Sequence, residues 1–139
     1  MNFWENAIRE NNVEMIKSLI DSEKEEKTIS IEISTENVHF SPLSLSAYLG
    51  NLEICKILLS YHVSIKNWAK INQPNDQGWT ALMFSVKQNH LEIVLELLDH
   101  GADISVTNVK GQTALNMVTS NDMKELLEYK LSHSFGDSI

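Results

Sequence analysis

The residues best equipped for chemistry are five histidines, His39, His62, His90, His100 and His133, and a single cysteine, Cys55. A zinc or iron site needs such groups at short, repeated intervals. No two histidines here form an H-x-x-x-H pair with a carboxylate partner, and Cys55 has no C-x-x-C companion. The phosphate-cradling patterns G-x-x-x-x-G-K-[ST] and G-x-G-x-x-G do not occur, nor does the G-x-S-x-G turn that presents a nucleophilic serine. Serine, histidine and aspartate are all present, but nothing in their spacing marks a nucleophile. The expectation is a protein that is not an enzyme and carries no cofactor and no metal.

Charge narrows the partner class. A net charge of -8 argues against non-specific binding to nucleic acid or to an anionic membrane, since both require basic patches. Residues 1–40 hold nine acids against four bases, and residues 75–139 again hold nine against four. Between them, residues 41–74 carry only Glu53 against Lys56, Lys66 and Lys70. The acidic field therefore sits at the two ends, serving solubility or steering a basic partner. One cysteine allows no intrachain disulfide, and no apolar run reaches the length of a membrane span. A cytoplasmic, acidic monomer is the expectation.

The elements that could position a surface show themselves by repetition. Gly78-Trp79-Thr80-Ala81-Leu82 recurs 33 residues later as Gly111-Gln112-Thr113-Ala114-Leu115. Behind the first copy stand Asn89-His90-Leu91-Glu92-Ile93-Val94 and Leu97-Leu98-Asp99-His100-Gly101-Ala102-Asp103. This resembles the ankyrin repeat, whose pattern runs G-x-T-P-L-H-x-A, then G-H-x-E-I-V-x-L-L, then G-A-D. An earlier unit begins at Ser41-Pro42-Leu43-Ser44-Leu45-Ser46-Ala47 and continues through Gly50-Asn51-Leu52-Glu53-Ile54-Cys55, with Ser44 and Ser46 where the family has His and Ala. The first unit keeps only its second half, from Asn11-Asn12-Val13-Glu14-Met15-Ile16 to Leu19-Ile20.

Local physics supports that register. Ser41, Thr80 and Thr113 are suited to cap a helix, and Pro42 fits a first helical position, where no amide donor is missed. Asn11, Gly50 and Asn89 stand 39 residues apart, where the chain must reverse between antiparallel helices, and only Gly and Asn enter a left-handed conformation cheaply. Trp4 aligns with Leu43 and Leu82, and Cys55 with Ile16 and Val94, so both are expected in the core. His90 is expected to be structural. In the fourth unit, Leu126-Leu127 fall under Ile93-Val94 if no gap is allowed, and a short deletion is the other reading.

The fold expected is an all-α solenoid of four helix-turn-helix units, eight helices in all, with β-hairpin fingers on one side, two of them lengthened. The repeats run over about 2–34, 35–74, 75–107 and 108–131 in one domain of 1–131, with a flexible tail at 132–139. Two connections exceed the family's length by six residues. Thr28–Ser34 alternates apolar and polar, so it should pair with Asn37–Phe40 as a hairpin, whereas Lys66–Pro74 has no clear period. The run Glu23–Lys27 is expected to be a solvated turn.

What the resemblance implies about function is partner binding through the concave face and the fingers. Carried over by position, that face comprises Arg9 and Glu10, then Asn37, Val38, Phe40, Tyr48 and Leu49. It continues with Asp76, Gln77, Trp79, Lys87 and Gln88, and ends with Val109, Lys110, Gln112, Ser120 and Asn121. Phe40, Tyr48 and Trp79 would form adjacent aromatic projections of the kind that anchors interfaces, unless they fold back onto the fingers. Trp68, in the second long connection, is a further candidate. The implied role is an adaptor or inhibitor acting on another protein. The alternatives are a bacterial effector or toxin-neutralising protein, and a regulatory or targeting subunit of an enzyme with a pocket near Trp68 and Trp79.

Overall fold

The structure is a computed structural model that describes residues 3–22, 38–60, 63 and 70–133, together with the backbone of 31–33. The Glu23–Lys27 turn, Asn37, Trp68 and the end of the tail lie outside the described residues. Seven α-helices are present among those described: α1 (Phe3–Arg9), α2 (Val13–Ser22), α3 (Pro42–Leu49), α4 (Leu52–Leu59), α5 (Ala81–Lys87), α6 (Leu91–Asp99) and α7 (Asn121–His133). One short 3-10 turn, Ala114–Met117, precedes α7. The last helix thus runs two residues into the segment expected as a tail.

Capping residues start the first helices. The Ser41 hydroxyl accepts from the Ser44 amide at 3.1 Å, and the Ser44 hydroxyl accepts from the Ser41 amide at 2.8 Å. This reciprocal pair satisfies two amides that a helix start leaves open, and it gives Ser44 a purpose where the family pattern has His. Thr80 accepts from the Met83 amide at 3.4 Å. Reversal between paired helices uses the expected backbone: φ is 51° at Asn11, 84° at Gly50 and 59° at Asn89.

Two layers result. The first helices form one, with α3 packed between α1 and α5, and α5 against the 3-10 turn. The second helices form the other, with α4 between α2 and α6. A single core runs through both layers, since no unit is large enough to bury its own apolar face. Trp4, Leu43 and Leu82 are buried together with Ile16, Cys55 and Val94, as their alignment requires. One seam of side-chain bonds ties each unit to the one before. Asn51 donates its amide to the Ile8 carbonyl, His90 Nε2 donates to the Tyr48 carbonyl at 3.1 Å, and the Ser120 hydroxyl donates to Asn89 Oδ1 at 2.8 Å.

The fourth unit departs from the ungapped register and from the eighth α-helix. Met123 and Leu127 are buried, in the places that Ile93 and Leu97 occupy one unit earlier. Thirty residues therefore separate equivalent positions, three fewer than in the preceding repeat. The three residues are lost from the first helix, which shrinks to the 3-10 turn. Its start is held by Asn116 Oδ1, which accepts from the Thr113 amide at 2.8 Å.

The first finger is a hairpin in which β1 (Ile31–Ile33) pairs antiparallel with β2 (Val38–Phe40), matching Ile31 with Phe40 and Ile33 with Val38. The later fingers are tight turns instead. Asn75 and Asn108, 33 residues apart, each accept two backbone amides on Oδ1, from Gln77 and Trp79 and from Lys110 and Gln112 respectively. A side-chain carbonyl that mimics a backbone turn lets the loop close without a ladder.

Candidate functional site

Between the first and second fingers lies an apolar pocket of about 240 Å³, lined by Val38, Tyr48, Asn75, Gln77, Trp79, Phe84 and Lys87. Strand β2 supplies Val38, α3 supplies Tyr48, the second finger supplies Asn75, Gln77 and Trp79, and α5 supplies Phe84 and Lys87. Phe84 is the centre of the aromatic cluster. Its ring lies 4.7 Å from Phe40, 5.0 Å from Trp79 and 5.9 Å from Tyr48, the last edge-on. Tilted and edge-on pairs at these distances are the geometry aromatic rings prefer.

The sequence-based site residues separate into three groups. Val38, Tyr48, Gln77, Trp79 and Lys87 come together around the pocket. Phe40 does not project into solvent: it is only 2% exposed, beneath Tyr48 and Phe84, because an aromatic at position 84 gives it a surface to pack on. Phe40 thus supports Tyr48 and Phe84 from the core, and its replacement by alanine should destabilise the fold instead of sparing it. Asp76, Gln88, Lys110 and Gln112 are exposed, Leu49 is half-buried, and Val109 is 66% exposed at the tip of the next finger. Asp76 Oδ2 lies 3.9 Å from His39 Nε2. Arg9 pairs with Glu5 at 3.0 Å.

Trp79 is half-buried and packs on the core as one wall of the pocket, so truncating it opens that wall as well as removing a contact. Two pocket residues, Asn75 and Phe84, were absent from the sequence-based set. The 33-residue interval between Asn75 and Asn108 was a usable signal for the first. For Phe84 the signal was an aromatic in a slot that Leu45 fills one unit earlier.

Asn75 builds the site and has little left to offer a ligand, since its amide nitrogen donates to the His39 carbonyl at 2.9 Å while its oxygen holds the turn. Gly78 locks this finger to the next. A β-carbon there would stand 2.8 Å from the Asn108 α-carbon and 2.9 Å from the Val109 nitrogen. The Val109 amide in turn donates to the Gln77 carbonyl at 3.1 Å. The pocket is therefore set by finger-to-finger contact as well as by the helices below.

Cys55, the one candidate thiol, is fully buried beside the Ser46 hydroxyl at 3.3 Å. Burial pushes its pKa up to about 11; the Ser46 bond opposes that shift and the Glu96 charge adds to it. A thiol so placed is inert, because the thiolate is the nucleophile. Alkylation by iodoacetamide at pH 8 is expected to run roughly 100-fold or more slower in the native protein than in urea. Comparable rates would mean that the α3–α4 core opens readily. Among the described residues no cluster of three or more His, Cys, Asp or Glu could hold a metal ion, and no helix is long and apolar enough to cross a membrane.

Comparison with known proteins agrees with this architecture. The family model for ankyrin repeats (3 copies) matches residues 5–108. A putative ankyrin repeat protein of Rickettsia bellii is 32% identical over 95 residues, which cover 68% of this chain and 56% of that protein. The chain thus spans little more than half of that relative's length. Human protein phosphatase 1 regulatory subunit 27 is 29% identical over 124 residues, covering 87% of this chain and 71% of the relative. The ankyrin repeat domain of Bcl-3 superposes with a TM-score of 0.70 over 90% of this chain and 50% of its own, at 21% identity, and so speaks to the fold alone. With matching capping positions, left-handed reversals and a shared inter-unit core, the chain belongs to the ankyrin-repeat family.

Proposed function

We propose that this protein is a non-enzymatic binding module that holds another protein on its concave face, with the pocket between the first two fingers as the anchor point. The observation that carries the reading is the half-buried pair Tyr48 and Trp79 facing an apolar pocket on a buried aromatic floor. Nothing in the internal packing of the repeat requires that pocket. Large aromatic walls around a recess are what interface anchors use. The net charge of -8 favours partners with basic surface over nucleic acid or anionic lipid, and the chain acts as a cytoplasmic monomer, as adaptor or inhibitor.

A regulatory subunit of an enzyme is the second reading, favoured by the resemblance to a phosphatase regulatory subunit over most of this chain. The resemblance to a Rickettsia protein supports a bacterial setting, in which an effector or toxin-neutralising role would use the same face.

The test is affinity capture from the native cell with Gln77→Arg alongside the unchanged protein. Gln77 is exposed at the pocket rim, so the arginine should obstruct entry while leaving the melting transition in place. Loss of the captured partner by about tenfold or more is expected. An undiminished partner would place the interface elsewhere.

A further inference from the structure

Resting on that reading, we infer that the pocket takes one aromatic side chain from an extended partner segment, with a carboxylate one or two residues away held by Lys87. Size comes first. At about 240 Å³ the recess falls below the roughly 300–1,000 Å³ typical of sites for small molecules and cofactors, and suits a single large side chain. Its walls are Tyr48, Trp79 and Phe84, rings already set at tilted and edge-on angles to one another. An incoming ring continues that arrangement, whereas a branched aliphatic chain would gain no ring-to-ring contact.

The polar groups divide into those already used and those left over. The Asn75 amide is committed to the His39 carbonyl and to the turn. Lys87 makes no ion pair within 4 Å among the described residues, and the Gln77 side chain makes no hydrogen bond among them. Among the described residues Lys87 is the only charged one lining the recess, in a chain that carries -8 overall. Its place in the last turn of α5 suits a cation at the carbonyl end of a helix, but that preference does not explain an apolar recess beside it. An ammonium next to low-dielectric walls attracts a carboxylate more strongly than one in open solvent, so it selects acidic neighbours of the anchor. Gln77 can bond the peptide backbone between the two.

Selection of a displayed library of random 12-residue peptides on the full chain, at physiological salt, tests this. Recovered peptides are expected to share Phe, Tyr or Trp with Asp or Glu within two positions. Calorimetry with a synthetic representative should show about tenfold weaker binding for Lys87→Ala, and equally for the peptide with Glu changed to Gln. Lys87→Glu should recover binding to the peptide with Glu changed to Lys. Lys87 is exposed, so circular dichroism of these variants should match the parent. Peptides without the aromatic–acid pair, a failed charge exchange, or no enrichment at all would overturn the inference. Peptides that respond to changes at Val109 and Lys110 but not at Lys87 would overturn it while leaving the concave-face reading intact. Peptides indifferent to every change on that face would remove the reading itself.

Discussion

Replacing Leu97 by alanine is expected to destabilise the protein by about 2–5 kcal/mol, the range for truncating a fully buried leucine where the surroundings cannot collapse. Leu97 has no exposed surface, lies in the last turn of α6 and belongs to the core shared by all units. Ordinary domains are stable by only about 5–15 kcal/mol, so the loss is a large part of the total. Urea unfolding should show a lower midpoint with an unchanged slope, which marks a change in stability without a change in the surface exposed. An unmoved midpoint would mean that the third unit is in the wrong register.

Asn89→Val is expected to be nearly as damaging, and Asn89→Gly to be tolerated. Asn89 has φ of 59°, a region that costs an L-residue roughly 1–2 kcal/mol and a β-branched one more. Its Oδ1 also accepts the Ser120 hydroxyl at 2.8 Å, a bond worth about 0.5–1.5 kcal/mol. Both variants lose that bond, so the gap between their melting temperatures isolates the backbone contribution. Glycine enters the left-handed region freely and should remain close to the parent. Two variants that melt alike would show that the reversal does not depend on this conformation.

How far the sequence could be read depended on whether a feature was local or emerged from packing. The 33-residue recurrence, the caps at Ser41 and Thr80, and the reversals at Asn11, Gly50 and Asn89 are fixed by single residues obeying local rules, and each was legible. So were the buried columns through Trp4 and Cys55, because alignment places every member of a column in the same environment. The burial of Phe40 is not legible locally, because it depends on Phe84, a distant residue in a slot where the neighbouring unit has leucine. The fourth unit was ambiguous because Leu126-Leu127 and Met123 are all apolar, and apolar spacing alone cannot separate a gap from a substitution. The pocket is a space between side chains, so Val38, Tyr48, Gln77, Trp79 and Lys87 are legible by position, and their convergence is not.

The seam from Asn51 through His90 to Ser120 has a bearing on how the molecule comes apart. Each of its bonds joins a unit only to the one before, so no bond spans more than one junction. An end unit can detach by breaking a single junction, while an inner unit must break two, and opening therefore starts at the ends and works inward like a zip. The walls and floor of the pocket belong to the two inner units. A molecule with its first unit frayed would still keep its grip, whereas fraying of the last would also release the Val109 contact that braces the second finger. A bound partner, by bracing the inner units against each other, would hold closed the junction that is the last to open.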